Sequence, residues 1–214
     1  SSNNSIINNS CSYNHEGIVL RYSSNNGITS NNCSSNSEEG IMLEYSNENS
    51  IANNTCSYNR DGISLYDYSK NNSITNNNVL NNNEIGINLW WHADNNTLTN
   101  NTALNNTNYD FYSYKVSHGN IIEDFAINSY PTTISFIYGH GIGIKSVITP
   151  EPDSTGKVNI GKYVNLTDVT EDSWILLNIS YNDADVTNVE EYSLRLYRWT
   201  GTDWAEIAGS AVNT

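Results

Sequence analysis

The sequence predicts an all-β chain: a right-handed parallel β-helix of about six coils, 22–24 residues each, followed by a small antiparallel β-sandwich-like module. Three observations predict it. A segment of about 23 residues recurs six times, each copy carries three short apolar beats, and asparagine fills fixed positions between them. In the clearest copy, 69–91, the beats at Ile74, Val79, Ile87 and Leu89 are spaced by 5, 8 and 2 residues. No helical face of period 3.6 collects such a spacing, whereas short strands joined by turns do.

The beats keep register from copy to copy. The first falls at Ile6, Ile28, Ile51, Ile74, Leu98 and Ile121, and the second at Cys11, Cys33, Cys56, Val79, Ala103 and Ala126. The third falls at Ile18, Ile41, Ile63, Ile87, Phe111 and Ile134. Parallel strands that short turns bring back over one another stack at about 4.8 Å, and right-twisted strands favour right-handed crossovers. Gly17, Gly40, Gly62 and Gly86 precede the third beat, where a turn of positive φ is expected.

The polar columns are equally regular. Asn9, Asn31, Asn54, Asn77 and Asn101 form one file, with Asp124 expected to close it. Asn4, Asn26, Asn49, Asn72 and Asn96 form another, and Asn14, Asn36, Asn59, Asn82 and Asn106 a third. Asparagine tolerates the left-handed backbone region, and amides stacked in one file bond to each other along the axis, so these residues read as structural corners. Three cysteines share one core column, close enough for a bridge between neighbours; small buried thiols are the favoured state.

The sixth copy is degraded: Phe125, Ile127, Tyr130 and Pro131 replace Asn-rich turns, as expected of a terminal repeat. Residues 139–144 read as one more strand or cap. The resulting division is a β-helix at 1–145, a linker at 146–156 and a small antiparallel module at 157–214, with Trp199–Trp204 as a hairpin. The module ends after four or five strands, and the chain begins inside a repeat, as an excerpt of a longer protein would.

Composition narrows the function. Of 39 Asn, 33 precede Tyr130, and hydrophobic residues make up 37 %, too few for a broad globular core but enough for the narrow core of a solenoid. The net charge is −14, divided as −7 up to Lys145 and −7 beyond it, with 9 basic residues in all. Such a surface argues against nucleic acid and against anionic lipid as partners. No apolar run is long enough for a transmembrane helix, so no direct membrane insertion is expected of this segment.

The Asn-Asn-Ser-Ile-x-Asn-Asn and Gly-Ile-x-Leu motifs resemble the NosD-type right-handed β-helix repeats of periplasmic and cell-surface proteins. Residues 130–136 and the tail from Trp174 to Trp204, with Asn-Ile-Ser-Tyr-Asn-Asp-Ala-Asp-Val at 178–186, are similar to archaeal, methanogen-type surface proteins. The resemblance covers nearly the whole chain and implies architecture more than activity. It implies copper delivery or polysaccharide binding or cleavage as family functions.

The residues favour some of these over others. Copper would need His, Cys or Met at ligand distance, yet His15, His92, His118 and His140 stand in different repeats and columns. A hydrolase or lyase would need paired carboxylates in a walled groove. Glu16, Glu39 and Asp61 form an acidic ladder, a calcium edge at most, beside Glu38, Arg60 and Glu84, but every turn is short and no catalytic residue is assigned. Sugar binding has the better case: strand alternation turns Tyr66, Trp90 and Tyr114 outward beside His92, an aromatic stripe flanked by hydrogen-bonding groups. The competing reading is that these rings stack on one another to hold the coils. In the second module Asp183 and Asp185, with Asn182, are weak calcium candidates, and no other cofactor is implied.

The expectation is therefore a monomeric extracellular or cell-surface segment, structural or adhesive, whose partners are cell-envelope polysaccharide or other surface proteins. The alternatives are a carbohydrate-active enzyme fragment and, third, a copper-delivery protein.

Overall fold

The computed structural model describes residues 1–114, 116–127 and 132–212. Lys115, and Tyr130 and Pro131 of the terminal repeat, lie outside the described residues. The chain winds into a parallel β-solenoid of about five turns. Successive copies stack in strict register: Ile6 lies on Ile28, then Ile51, Ile74 and Leu98. The third-beat strands Ile18–Arg21, Ile41–Glu44, Ile63–Tyr66, Ile85–Leu89 and Tyr109–Ser113 pair in parallel in the same way. The inward side chains of all three beats form one apolar core of Ile, Leu, Val and Cys, most of it with no solvent contact. Cys33 and Cys56 lie in this core as free thiols, Cys11 half-buried at its end.

Each coil turns at four corners, and at three of them an inward asparagine follows a residue in the left-handed conformation, most often also an asparagine. The first of each pair takes the left-handed conformation: Asn3, Asn8, Asn25, Asn53, Asn71, Asn76, Asn81, Asn95, Asn100 and Asn105 all have φ between 54° and 59°. The second turns its amide inward and donates both its backbone N–H and its Nδ2 to the Oδ1 of the next coil. Along the file from Asn9 through Asn31, Asn54 and Asn77 to Asn101 the amide-to-amide distance is 3.0 Å at every step. A second file runs from Asn4 to Asn96 and continues to Asn120. In the third, from Asn36 to Asn106, the closing acceptor is Asp110, at 2.8 Å. The fourth corner uses serine: Ser23 N–H donates to Ser46 Oγ at 3.1 Å, and Ser46 N–H to Ser69 Oγ at 3.2 Å. Buried backbone donors that strands leave unpaired at the bends thus find side-chain acceptors.

The glycine column works by contact. None of Gly17, Gly40, Gly62 and Gly86 has positive φ, contrary to the sequence expectation. A Cβ on Gly40 would lie 2.7 Å from the Gly62 carbonyl oxygen, and one on Gly86 2.5 Å from that of Asp110. Neighbouring coils pass too closely here for any side chain.

The sixth copy departs from the coil pattern. Leu98 pairs with Ile122. Ile121 is left exposed, so the repeat is shifted by one residue from the sequence alignment. Ala126 opposes Thr102, which moves the second beat to Ile127. Asp124 takes φ 50°, like Asn100 before it. Phe125 therefore occupies the place of the next amide, and the file ends at Asn101. From there the chain reverses. Thr132–Gly139 runs antiparallel to Ile121–Ile127, so Ile134 belongs to a capping strand and continues no third-beat file. Phe111, Phe125, Phe136 and Tyr138 plug the end of the core, with the Phe111 and Phe136 rings edge to face at 5.3 Å.

Sheet pairing also crosses the boundary expected at 146–156. Asn165–Asp168 pairs with Ile142–Lys145, and Trp174–Ser180 pairs with Thr132–Gly139, both antiparallel. These strands extend the solenoid's two sheets over its end, while Tyr197–Trp199 and Trp204–Glu206 form the expected hairpin as a separate two-stranded sheet.

Candidate functional site

The outward face of the third-beat sheet gathers the chemistry of the chain. Stacking lays three columns along it. One holds Glu16, Glu39 and Asp61; the middle holds Met42, Ser64, Asn88 and Tyr112; the other holds Arg21, Glu44, Tyr66, Trp90 and Tyr114. Such alternation is what a strand imposes, one residue in and the next out.

The predicted aromatic stripe divides into two groups. Trp90 stacks on Tyr114, centroids 4.3 Å apart at 25°, and on Tyr112 at 6.0 Å. Tyr66 turns the other way, across Ser64 and into the acidic column. Its hydroxyl lies 3.0 Å from Glu39 Oε1 and 3.5 Å from Asp61 Oδ2. Burial, reinforced by the Glu39 carboxylate, holds this hydroxyl protonated far above the ordinary phenol range. His92 joins a different ladder, one that sequence reasoning missed. At the serine corner the left-handed residue is aromatic in place of asparagine, at Tyr22, Tyr45, Tyr68 and His92. Their rings stack from coil to coil at 4.9, 6.1 and 4.8 Å. Trp91 links the two groups, stacked on Tyr114 at 5.7 Å and edge-on to His92 at 6.4 Å. The signal was present as an aromatic recurring before each corner serine, but strand alternation does not place it, because it lies outside the strand.

Glu39 and Asp61 of the acidic column are buried and bonded, and Glu16 is half-buried. Arg60 reaches the preceding coil and pairs with both Glu38 and Glu39. At the open end of the face, Arg21 pairs with Glu44 at 2.6 Å and with Glu16 at 3.5 Å. Asp61 accepts the Ile85 N–H at 2.9 Å. Burial pushes its carboxyl above the usual range, and the nearby Glu39 charge adds to the shift, against the hydrogen bonds and Arg60 that lower it.

Other candidate residues lie elsewhere. His118 and His140 face each other with centroids 6.0 Å apart, beside Thr170, Glu171 and Asp172. His15 sits 3.5 Å from Glu16. The weak calcium candidates of the second module are a helix cap. Asn182 caps the short 3-10 helix Asp183–Val186, and Asp185 Oδ2 accepts the Asn182 N–H and pairs with Lys162, each at 2.9 Å. That carboxylate is already neutralised by a lysine, and these bonds hold it below the ordinary carboxylate range.

Fold and face together define a β-solenoid protein with an outer surface of aromatic rings, hydroxyls and carboxylates. The family described as periplasmic copper-binding protein (NosD) matches residues 1–113, just over half of the 214, and the chain belongs to that family. A crystal structure of a mutant of the periplasmic alginate epimerase AlgG is similar over 56 % of this chain, at 29 % identity and a TM-score of 0.47. A second AlgG structure is similar over the same share, at 21 % identity and a TM-score of 0.43. Both matches span 27 % of the epimerase, so the chain corresponds to about a quarter of its length. No curated protein sequence matches the chain. Among the described residues no helix is long and apolar enough to cross a membrane.

Proposed function

We propose that this chain is a rigid β-solenoid segment working outside the cytoplasm, in the periplasm or at the cell surface, that holds polysaccharide against the outer face of its third-beat sheet. The family's periplasmic description supports the location. The observation that carries the binding assignment is the cluster of Trp90, Trp91, Tyr112 and Tyr114 with its tyrosine hydroxyls, on the same face as the Arg21 and Glu44 pair of the earlier coils. Apolar rings bordered by donors and acceptors suit the alternating faces of a sugar chain. Tyr66 and His92 serve this face indirectly, one through the acidic column and the other through Trp91. The chain needs no moving part for such a role, since amide files fix the coils.

The copper of the family description does not fit the donors of this chain. Among the described residues no group of three or more His, Cys, Asp or Glu is placed to hold a metal ion. His118 and His140 stand as a pair, His92 is stacked on Tyr68, and the Cys33 and Cys56 sulfurs are sealed in the core. A hydrolytic role is not favoured either, because Glu39 and Asp61 lie under Tyr66 with no open groove between them.

A glycan array probed with the intact chain and with Trp90→Ala tests the assignment. Binding to envelope-type polysaccharides that falls at least about tenfold in the variant supports it. Binding that survives unchanged, or no binding by the intact chain, refutes it.

A further inference from the structure

We infer that the same face holds a calcium site, formed by Asp61, Glu39, Asn88 and Ser64 beneath the Tyr66 ring. The inference is independent of polysaccharide binding.

It starts from oxygens that the fold buries without adequate partners. Asn88 is 4 % exposed, and its Nδ2 donates to Asp61 Oδ2 at 3.3 Å, so a half-turn of the amide would present Oδ1 to the acidic column in place of Nδ2. Its Oδ1 has no hydrogen-bond partner. Ser64 is 0 % exposed, and its Oγ lies against the Tyr66 hydroxyl without a hydrogen bond of proper geometry. Asp61, 3 % exposed, has one well-served oxygen, Oδ1, bonded to the Ile85 N–H. Its other oxygen has only the two long contacts, 3.3 Å to Asn88 and 3.5 Å to Tyr66. Three under-served oxygens on adjacent stacked side chains are unusual, since buried polar atoms in folded proteins are nearly always paired.

Charge points the same way. Glu38, Glu39 and Asp61 share the single guanidinium of Arg60. Two of these carboxylates are buried, where uncompensated charge costs most. With the Asn88 amide turned over, a hard cation satisfies these oxygens together, since amide, hydroxyl and carboxylate oxygens present lone pairs to it. Magnesium demands near-ideal octahedral geometry and keeps its water. Calcium accepts irregular sets of six to eight oxygens and completes them with water. The softer transition metals, copper and zinc among them, prefer nitrogen and sulfur ligands, and this cluster offers neither. Two carboxylates with a resident arginine correspond to the weak class typical of extracellular calcium modules, with Kd on the order of 10⁻⁴ to 10⁻³ M.

The test is isothermal titration calorimetry of the intact chain, stripped with EDTA, against calcium chloride up to about tenfold above that range. One saturable site is expected, with magnesium binding at least about tenfold more weakly. Asp61→Asn keeps an acceptor for the Ile85 N–H and is expected to abolish the site. Asn88→Ala, which changes no charge, is expected to weaken it by at least about tenfold. Arg60→Gln removes the competing cation and is expected to tighten it, a response that a merely structural ion-pair network would not give. Asp183→Asn, far from the face, leaves binding unchanged. Absence of saturable binding, or a site indifferent to both Asp61→Asn and Asn88→Ala, overturns the inference.

Discussion

Neighbouring asparagines of identical chemistry should differ in their contribution to stability by several kilocalories. Asn77 is buried in an amide file. Its Nδ2 donates to Ile51 O at 2.9 Å and to Asn101 Oδ1 at 3.0 Å, while its Oδ1 accepts the Asn54 N–H at 2.9 Å and Asn54 Nδ2 at 3.0 Å. Asn77→Ala removes four hydrogen bonds and strands the Asn54 N–H where water cannot reach. An orphaned buried donor costs about 1–3 kcal/mol, and the three other bonds about 0.5–1.5 kcal/mol each, so a loss of about 2.5–7.5 kcal/mol is expected. Asn76, one residue earlier, is exposed and sits at φ 56°. Asn76→Gly relieves a left-handed residue and should shift stability by less than about 1 kcal/mol in either direction. Urea unfolding followed by both tryptophan fluorescence and far-UV circular dichroism measures the pair, the two probes guarding against uncoupling of repeats. Equal losses for the two variants, at unchanged m-value, would refute the division of labour within the asparagine doublets.

Other outcomes follow from the same contacts. Gly40→Ala should destabilise by about 1–3 kcal/mol, read as a lower urea midpoint, because its Cβ meets the backbone oxygens of Gly62 and Cys33 within 2.8 Å. Asp61 should give an unusual pH signature in EDTA. Its folded pKa is raised above the unfolded value, so its favourable contribution is complete below about pH 3.9 and is lost as pH rises through the folded value. Asp61→Asn should therefore gain stability relative to the parent as pH rises from 4 to 7; a gap that shrinks instead would contradict the burial of that charge. One thiol, Cys11, should react with a disulfide reagent in the native chain, and Cys33 and Cys56 only on unfolding, since both lie in the closed core and burial raises the Cys56 thiol.

The stacking was legible because a period of 22–24 residues returns each side chain to its own file, and side-chain identity is what a sequence records. The amide file from Asn9 to Asn101 could be read for that reason. What failed was information that periodicity does not carry. Ile121 and Ile122 are adjacent isoleucines, and the pattern cannot tell which one faces inward; a bulge between Ile122 and Phe125 then shifts the frame. Alternation in Thr132–Gly139 looks the same whether the strand continues a coil or reverses to cap it, since both bury every second residue. The glycine column is written plainly, yet a glycine needed for close approach and one needed for positive φ read alike. On the candidate face, alternation assigns Tyr66 and Trp90 to the same side but fixes neither rotamer, and Tyr66 folds onto Glu39.

The aromatic corner also constrains how a sugar could meet this surface. Tyr22, Tyr45, Tyr68 and Trp91 hold φ of 48–58°, a region costly for bulky residues, and asparagine fills the equivalent place at most other corners. Some interaction must offset that strain, and coil-to-coil ring stacking offers only about 0.5–1.5 kcal/mol per pair. The stacking also covers the flat faces of Tyr45 and Tyr68 on both sides, leaving edges and hydroxyls outward. A sugar ring therefore cannot lie on those faces. It can meet the hydroxyl row of that ladder, and it can lie against indole only on the faces of Trp90 and Trp91 that Tyr114 does not cover, where the two aromatic groups join. A binding surface built this way places its apolar contact at one end and its polar contacts along the axis, so a polysaccharide would run parallel to the solenoid and take its register from the tryptophan pair.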